Sequence, residues 1–158
     1  MVKTTFNFAG HFDAAKMARA FSSNVPISLK YSLEISRRIK GKNIAEAEII
    51  LQKIADMETH LPLQIYTKKI PHRKGNAQVG TKSGRYPVRT CKQWLQLLRS
   101  VKANADYKGL NVKKLRIVHA TANMGFSRVT NQSQGRISGK SRNSKSAHIE
   151  IIVREDAA

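Results

Sequence analysis

Acidic residues are almost absent from the middle of this 158-residue chain. Asp106 is the only acid between residues 59 and 149, where nineteen lysines and arginines occur. The whole chain has a formal net charge of +19. Such self-repulsion opposes a compact state unless a polyanion neutralises it. The composition therefore indicates a nucleic acid as the first candidate partner and an anionic membrane surface as the second.

Cysteine is equally scarce, because Cys91 is the only one. A single cysteine excludes an internal disulfide and a zinc site built on several thiolates, and it is typical of a reducing compartment. No stretch approaches the ~20 apolar residues that a membrane-spanning helix needs. The first residues also lack the apolar run of a secretory signal. We therefore expect a cytoplasmic protein that has no membrane partner.

The side chains that catalysis needs are not clustered anywhere in the sequence. Carboxylate pairs for acid–base chemistry or for a magnesium clamp are excluded where one acid stands among nineteen cations. Cys91 falls on the apolar stripe of a predicted helix, which favours core packing over a nucleophilic role. His119 and His148 could face each other across a hairpin, as a strand pair or an RNA contact. We expect no enzymatic activity, no cofactor and no metal.

Three segments carry apolar residues at helical spacing. Ser28 is the expected N-cap of the first helix, which ends before Gly41. Asn43 opens the second helix. The third helix follows Pro87, ends at Gly109 and has the most regular stripe. That stripe consists of Cys91, Trp94, Leu95, Leu98, Val101 and Ala105.

Two alternating runs of β-branched residues, at 113–120 and 148–154, predict strands. Residues 17–21 could form a shorter third strand. The stretch between the two long runs is rich in Gly and Ser, contains no acid and is too polar to form a core. A long connection without structure of its own is unusual unless it is functional or disordered. We therefore predict a protruding β-hairpin over about residues 111–154, with its tip in a polyanion.

The remaining segments complete the predicted domain organisation. Residues 1–16 form an N-terminal arm that a partner could order, and residues 17–158 form a single globular domain. Residues 63–86 carry six lysines and arginines and His72 among four Gly and Pro residues, and form an extended basic loop that orders on a partner. A flexible surface loop is the alternative for that segment.

Several short motifs, in their order and spacing, resemble one known family. They are Gly84-Arg85-Tyr86-Pro87, residues 104–110, residues 115–119, Gly135-Arg136-Ile137 and residues 148–151, with upstream matches at 28–30, 39–42 and 45–47. Over about residues 17–155 the chain is similar to a universal large-subunit ribosomal protein family. This family is numbered twenty-two in bacteria and seventeen in eukaryotes, and the chain resembles its archaeal and eukaryotic branch.

The resemblance implies an α+β fold, with three helices packed on a small three-stranded antiparallel sheet and a long protruding β-hairpin. It implies that the partners are large-subunit ribosomal RNA, neighbouring ribosomal proteins and the nascent polypeptide. The expected RNA-binding residues are Lys68, Lys69, Arg73, Lys74, Arg85, Arg89, Lys92, Lys108, Lys113, Arg128, Arg136, Lys140, Arg142 and Lys145. The resemblance also implies that the hairpin tip lines the peptide exit tunnel, through Val129, Thr130, Asn131, Gln132, Ser133 and Gln134.

The tip departs from the family pattern, because a neutral run separates Arg128 from Arg136 where eukaryotic members usually carry many arginines. Either Gly135-Arg136 or Gly139-Lys140 can match the Gly-Arg pair of the family. A structural ribosomal role is the leading hypothesis. A free regulatory module that binds RNA or DNA alone is the second. A basic enzyme acting on RNA is the third, and it lacks the carboxylate or histidine cluster that it would need.

Overall fold

The computed structural model describes residues 6–74, 81–136 and 138–156. In chain order its elements are β1 (Met17–Val25), α1 (Leu29–Ile39), α2 (Ile44–Ala55), β2 (Leu61–Pro62), β3 (Gly84–Arg85), α3 (Val88–Tyr107), β4 (Leu115–Asn131) and β5 (Ser141–Glu155). Three strands form an antiparallel sheet in the order β1-β5-β4, and β2 pairs with β3 separately. The predicted α+β fold with three helices is confirmed, whereas the small second sheet was not foreseen.

The core lies between the helices and the inner face of the three-stranded sheet. Ile149, Ile151 and Val153 of the central strand β5 are all completely buried, as their alternation predicts. Trp94 and Leu98 of α3 are equally buried on the other side of this core. The periodic apolar residues of helices and strands therefore meet in one cluster.

The helices begin and end where the sequence indicates. Ser28 and Asn43 occupy the N-cap positions of α1 and α2, although neither side chain accepts a hydrogen bond from the first turn. Gly41 and Gly109, both with positive φ, follow α1 and α3 and allow the chain to turn away. On α3 the buried stripe includes Leu97, while the predicted Leu95 is only partly covered.

Two bulges modify the predicted alternation of β4. The register with β5 shifts between Ile117 and His119, and again between Met124 and Ser127. After the first shift His119 pairs with Ile152, and His148 of β5 pairs with Asn123. The prediction that the two histidines face each other across the hairpin is therefore wrong.

The N-terminal arm packs on the outer face of the sheet by its own residues. The ring of Phe8 lies 5.3 Å from that of His119, and the ring of Phe6 lies 5.9 Å from that of Phe21. The Arg19 guanidinium lies over the Phe6 ring at 4.6 Å. The described part of the arm thus packs against the chain's own sheet, and its ordering by a partner stays a prediction. The division of the chain into an arm and one globular domain stays a prediction.

Cys91 provides a test of the core. Its side chain is completely buried, and desolvation by burial raises the pKa of the thiol to about 12. Because the thiolate is the reactive form, iodoacetamide at pH 8 should label the native chain at least ~100-fold more slowly than the chain in urea. Burial of the neutral thiol contributes fully to the free energy of unfolding below the pKa that Cys91 has in the unfolded chain. This contribution is lost as the pH rises through the folded-state pKa of about 12. Mass spectrometry measures the labelling, and equal rates in buffer and urea would contradict burial.

Candidate nucleic-acid interface

The outer part of the β4–β5 hairpin is a fully exposed ribbon. Every described residue from Arg128 to Lys145 is exposed. The strand β1 stops pairing with β5 at Ala147, so the outer hairpin pairs only with itself. A two-stranded ribbon without a covered face has little stability of its own in water. This part of the chain is therefore suited to lie against a partner.

Strand alternation sorts the cations of this ribbon onto different faces. Arg128 and Arg142 share one face, because Arg128 pairs with Ser144 and Arg142 pairs with Thr130. Lys145 pairs with Ser127 and belongs to the other face. Arg136 and Lys140 lie in the turn that joins the strands. The hairpin can therefore contact phosphates on both sides and at its end.

The predicted basic loop is anchored to α1 by a buried acid. Oε1 of Glu34 accepts hydrogen bonds from the backbone N–H groups of Gln64, Ile65 and Tyr66 at 3.1, 2.8 and 3.1 Å. The β2–β3 pair closes the base of the loop. Three backbone donors stabilise a carboxylate that would otherwise be costly to bury. These contacts fix the start of the loop on α1. The exposed cations among its described residues are Lys68, Lys69, Arg73, Lys74 and Lys82.

Two of the predicted RNA-binding cations are engaged within the chain. Nε of Arg73 donates to the carbonyl of Gly84 at 3.4 Å. Nζ of Lys108 donates to the carbonyls of Ala14 and Met17 at 3.0 and 2.8 Å. Arg73 thereby fastens the basic loop and Lys108 fastens the arm. Their contact with RNA stays a prediction.

The other cations of the body fall into two places. Arg85 in β3 and Arg89 and Lys92 in the first turns of α3 follow one another along the chain. Lys113 lies beyond the far end of α3, in the short 3₁₀ turn Val112–Lys114. Arg89, Lys92 and Lys113 are exposed, whereas Arg85 is half-buried. The predicted residues therefore form several basic areas and not one patch.

The sequence analysis missed a basic cleft beside the end of α1. A cavity of about 400 Å³ is lined there by four cations, Arg37, Arg38, Lys40 and Lys42, together with Glu34, Gly41, Pro62 and Gln64. Four cations within six residues were the available signal. Cations near a helix C-terminus are stabilised by the helix dipole, and this local effect already accounts for them. The sequence therefore provided no reason to expect that they line one cavity. We add these cations to the candidate interface.

Within the described ranges, 6–74, 81–136 and 138–156, no three His, Cys, Asp or Glu side chains converge as ligands for a metal ion. The helices in the same ranges include none that is long and apolar enough to cross a membrane.

Comparisons with known proteins agree with the resemblance. Residues 20–154 match the family model described as ribosomal protein L22p/L17e. A large ribosomal subunit protein uL22 from Methanococcus vannielii is 39% identical over 145 residues, which cover 90% of this chain and 92% of that protein. The protein of the same name from Methanocaldococcus jannaschii is 39% identical over 142 residues, covering 89% and 88%. That from Archaeoglobus fulgidus is 42% identical over 113 residues, covering 72% of each. The chain therefore belongs to the ribosomal protein L22p/L17e family.

Proposed function

We propose that this chain is a structural constituent of the large subunit of cytoplasmic ribosomes, where it binds ribosomal RNA through its hairpin, basic loop and basic cleft. The names of its relatives support this assignment, and membership of a ribosomal protein family supports a structural role over an enzymatic one. The observation that carries the proposal is the exposed ribbon from Arg128 to Lys145. It contains five cations and no acid.

The geometry of the ribbon suits insertion between RNA segments. The strand residues from Met124 to Asn131 extend about 23 Å at ~3.3 Å per residue. Cations on both faces can neutralise phosphates on either side and release their counterions. RNA helices are recognised mainly through shape and backbone contacts, which a narrow basic ribbon can make without reading bases. RNA would in turn supply the support that the ribbon lacks.

We further propose that the tip lines the peptide exit tunnel, with neighbouring ribosomal proteins and the nascent polypeptide as partners. The supporting observation is the charge distribution around residues 129–134. These six residues are exposed and uncharged, and they lie between Arg128 and Arg136. A neutral tip avoids binding a passing polypeptide of either charge, while the flanking cations hold the RNA.

The RNA-binding part of this proposal has a direct test. Removing Arg128 and Arg142 together, by substitution with alanine, should reduce the slope of log K against log salt concentration by about 1.5, because two phosphate contacts are lost. The measurement is filter binding of the full chain to large-subunit ribosomal RNA at several KCl concentrations.

A matched control removes the same charge elsewhere. Lys53 and Arg99 are exposed on α2 and α3, outside the candidate interface. Their double alanine variant should keep the slope of the unaltered chain. If both double variants lower the slope equally, general charge and not the hairpin governs binding, and the assignment of the hairpin to RNA fails.

A further inference from the structure

An aromatic side chain is exposed at the base of the hairpin, next to the basic ribbon. Phe126 of β4 is 65% exposed. It lies at the second bulge, where Gly125 and Phe126 together oppose Ser146 of β5. A bulge redirects the side chain that it carries. Within the described residues, the ring contacts no other aromatic ring and no cation.

The backbone of Phe126 is held firmly although its ring is free. Its N–H donates to Oδ1 of Asn24 at 3.0 Å, and its carbonyl accepts from Oγ of Ser146 at 2.6 Å. Asn24 itself has φ of 49°, the left-handed region, and its N–H donates to Nδ1 of His148 at 3.2 Å. The end of β1 therefore fixes the bulge, and the bulge sets the direction in which the side chain of Phe126 leaves the backbone.

Gly125 shows how closely these groups approach. A Cβ at this position would lie 2.5 Å from Oγ of Ser146 and 2.9 Å from Oδ1 of Asn24. Any larger residue would push apart the two groups that hold Phe126. A glycine, a bulge and a left-handed asparagine thus combine to fix the backbone that carries this exposed ring.

The ring forms one wall of a groove with the chemistry of a nucleotide site. The cavity measures about 360 Å³, which is within the range of small-molecule pockets. Arg128 lies two residues from Phe126 on the same strand, and the lining contains no acid. The lining residues are Asn24, Pro26, Phe126, Arg128, Ser144, Lys145 and Ser146.

We propose that this groove binds one unpaired nucleotide of ribosomal RNA, with its base stacked on the ring of Phe126. The proposal rests on the proposed function and specifies what the base of the hairpin recognises. Unstacked bases in RNA loops and bulges are commonly bound on aromatic rings. The Arg128 guanidinium pairs with an adjacent phosphate, and the hydroxyl of Ser144 meets the edge of the base. A protein segment without acidic residues fits less well, because the charged side chains of the lining, Arg128 and Lys145, are both cations.

The test compares single-stranded and double-stranded RNA. The full chain is titrated with a fluorescein-labelled single-stranded nonamer containing 5-iodouridine and with a duplex of equal length. Phe126→Leu keeps an apolar side chain but removes the aromatic face, so the ratio of single-strand to duplex affinity should fall about tenfold. Phe126→Trp keeps an aromatic face, so its ratio of single-strand to duplex affinity should equal that of the unaltered chain. Met124→Leu is the matched control, because Met124 is 63% exposed on the same strand and does not line the groove.

Irradiation of the iodouridine complex adds a direct readout, because the crosslinked peptide should contain Phe126. An unchanged ratio in Phe126→Leu, or crosslinks that avoid this peptide, would overturn the nucleotide site. If Phe126→Leu behaves like the unaltered chain while the double variant of Arg128 and Arg142 loses RNA affinity, the RNA-binding function stands and stacking fails. If the unaltered chain binds neither RNA, the proposed function itself fails.

Discussion

Replacing Glu150 by alanine is expected to lower the free energy of unfolding by about 3 kcal/mol, through the loss of a buried acceptor. The side chain of Glu150 is only 3% exposed. Its Oε1 accepts from Oγ1 of Thr121 at 2.7 Å and lies 2.8 Å from Nε2 of His119. The backbone N–H of Asn7 donates to both carboxylate oxygens, at 3.1 and 3.2 Å. One carboxylate thus joins β4, β5 and the arm, and its removal leaves three groups without their acceptor.

Urea unfolding followed by circular dichroism measures this effect. Glu48→Ala is the matched control, because the carboxylate of Glu48 pairs with Lys102 at 2.6 Å but is 27% exposed. An ion pair that water reaches should contribute only ~0–1 kcal/mol. If both variants unfold at the same urea concentration, Glu150 does not hold the arm on the sheet.

Shortening the hairpin is expected to separate folding from ribosome binding. Residues 128–144 are replaced by Asn-Gly, so that the paired residues Ser127 and Lys145 flank a two-residue turn. The described residues removed are all exposed, so the melting temperature should change by less than ~3 °C. The inserted length of the hairpin is lost together with four cations, so the fraction of chain retained on large subunits in high salt should fall more than ~10-fold.

A second variant separates the charge of the hairpin from its length. It keeps the full length of the hairpin and replaces four cations by serine. These are Arg128, Arg136, Lys140 and Arg142. Retention on large subunits should fall in this variant at low salt, where phosphate contacts contribute most. In high salt it should stay near that of the unaltered chain, because those contacts are already weak and the inserted length of the hairpin remains. Unfolding of the shortened chain would mean that the tip belongs to the core, and the account of the hairpin would be wrong.

The regular elements were predictable because their signals are local. The stripe of α3 repeats over twenty residues, and Gly109 ends it with a positive φ. The strand β5 alternates with β-branched residues that all reach the core. Each of these patterns depends only on near neighbours in sequence and on helical or strand geometry. The surplus of cations over residues 59–149 likewise indicated the class of partner without any structure.

The features that escaped prediction depend on distant contacts. Glu34 and Glu150 look like surface acids in the sequence, yet both are buried, and Glu150 meets Asn7 across 143 positions. His119 does not pair with His148 because the register of the hairpin places His148 opposite Asn123, and the bulge after Ile117 shifts the partner of His119 by only one residue. Nothing local in the sequence marks such a bulge. A distant contact also holds Phe126, because its backbone N–H donates to Oδ1 of Asn24 in another strand.

The central claim, that this chain is an integral part of the large ribosomal subunit, is tested most directly by sedimentation of a cell extract on sucrose gradients. The chain is detected across gradients run at moderate salt and at about 0.5 M salt, where surface contacts to phosphates are strongly weakened. We expect the chain to sediment with large subunits at both salt concentrations, while the shortened variant moves to the top of the gradient at the higher one. Release of the unaltered chain at high salt, or a peak near the top at either concentration, would contradict the account.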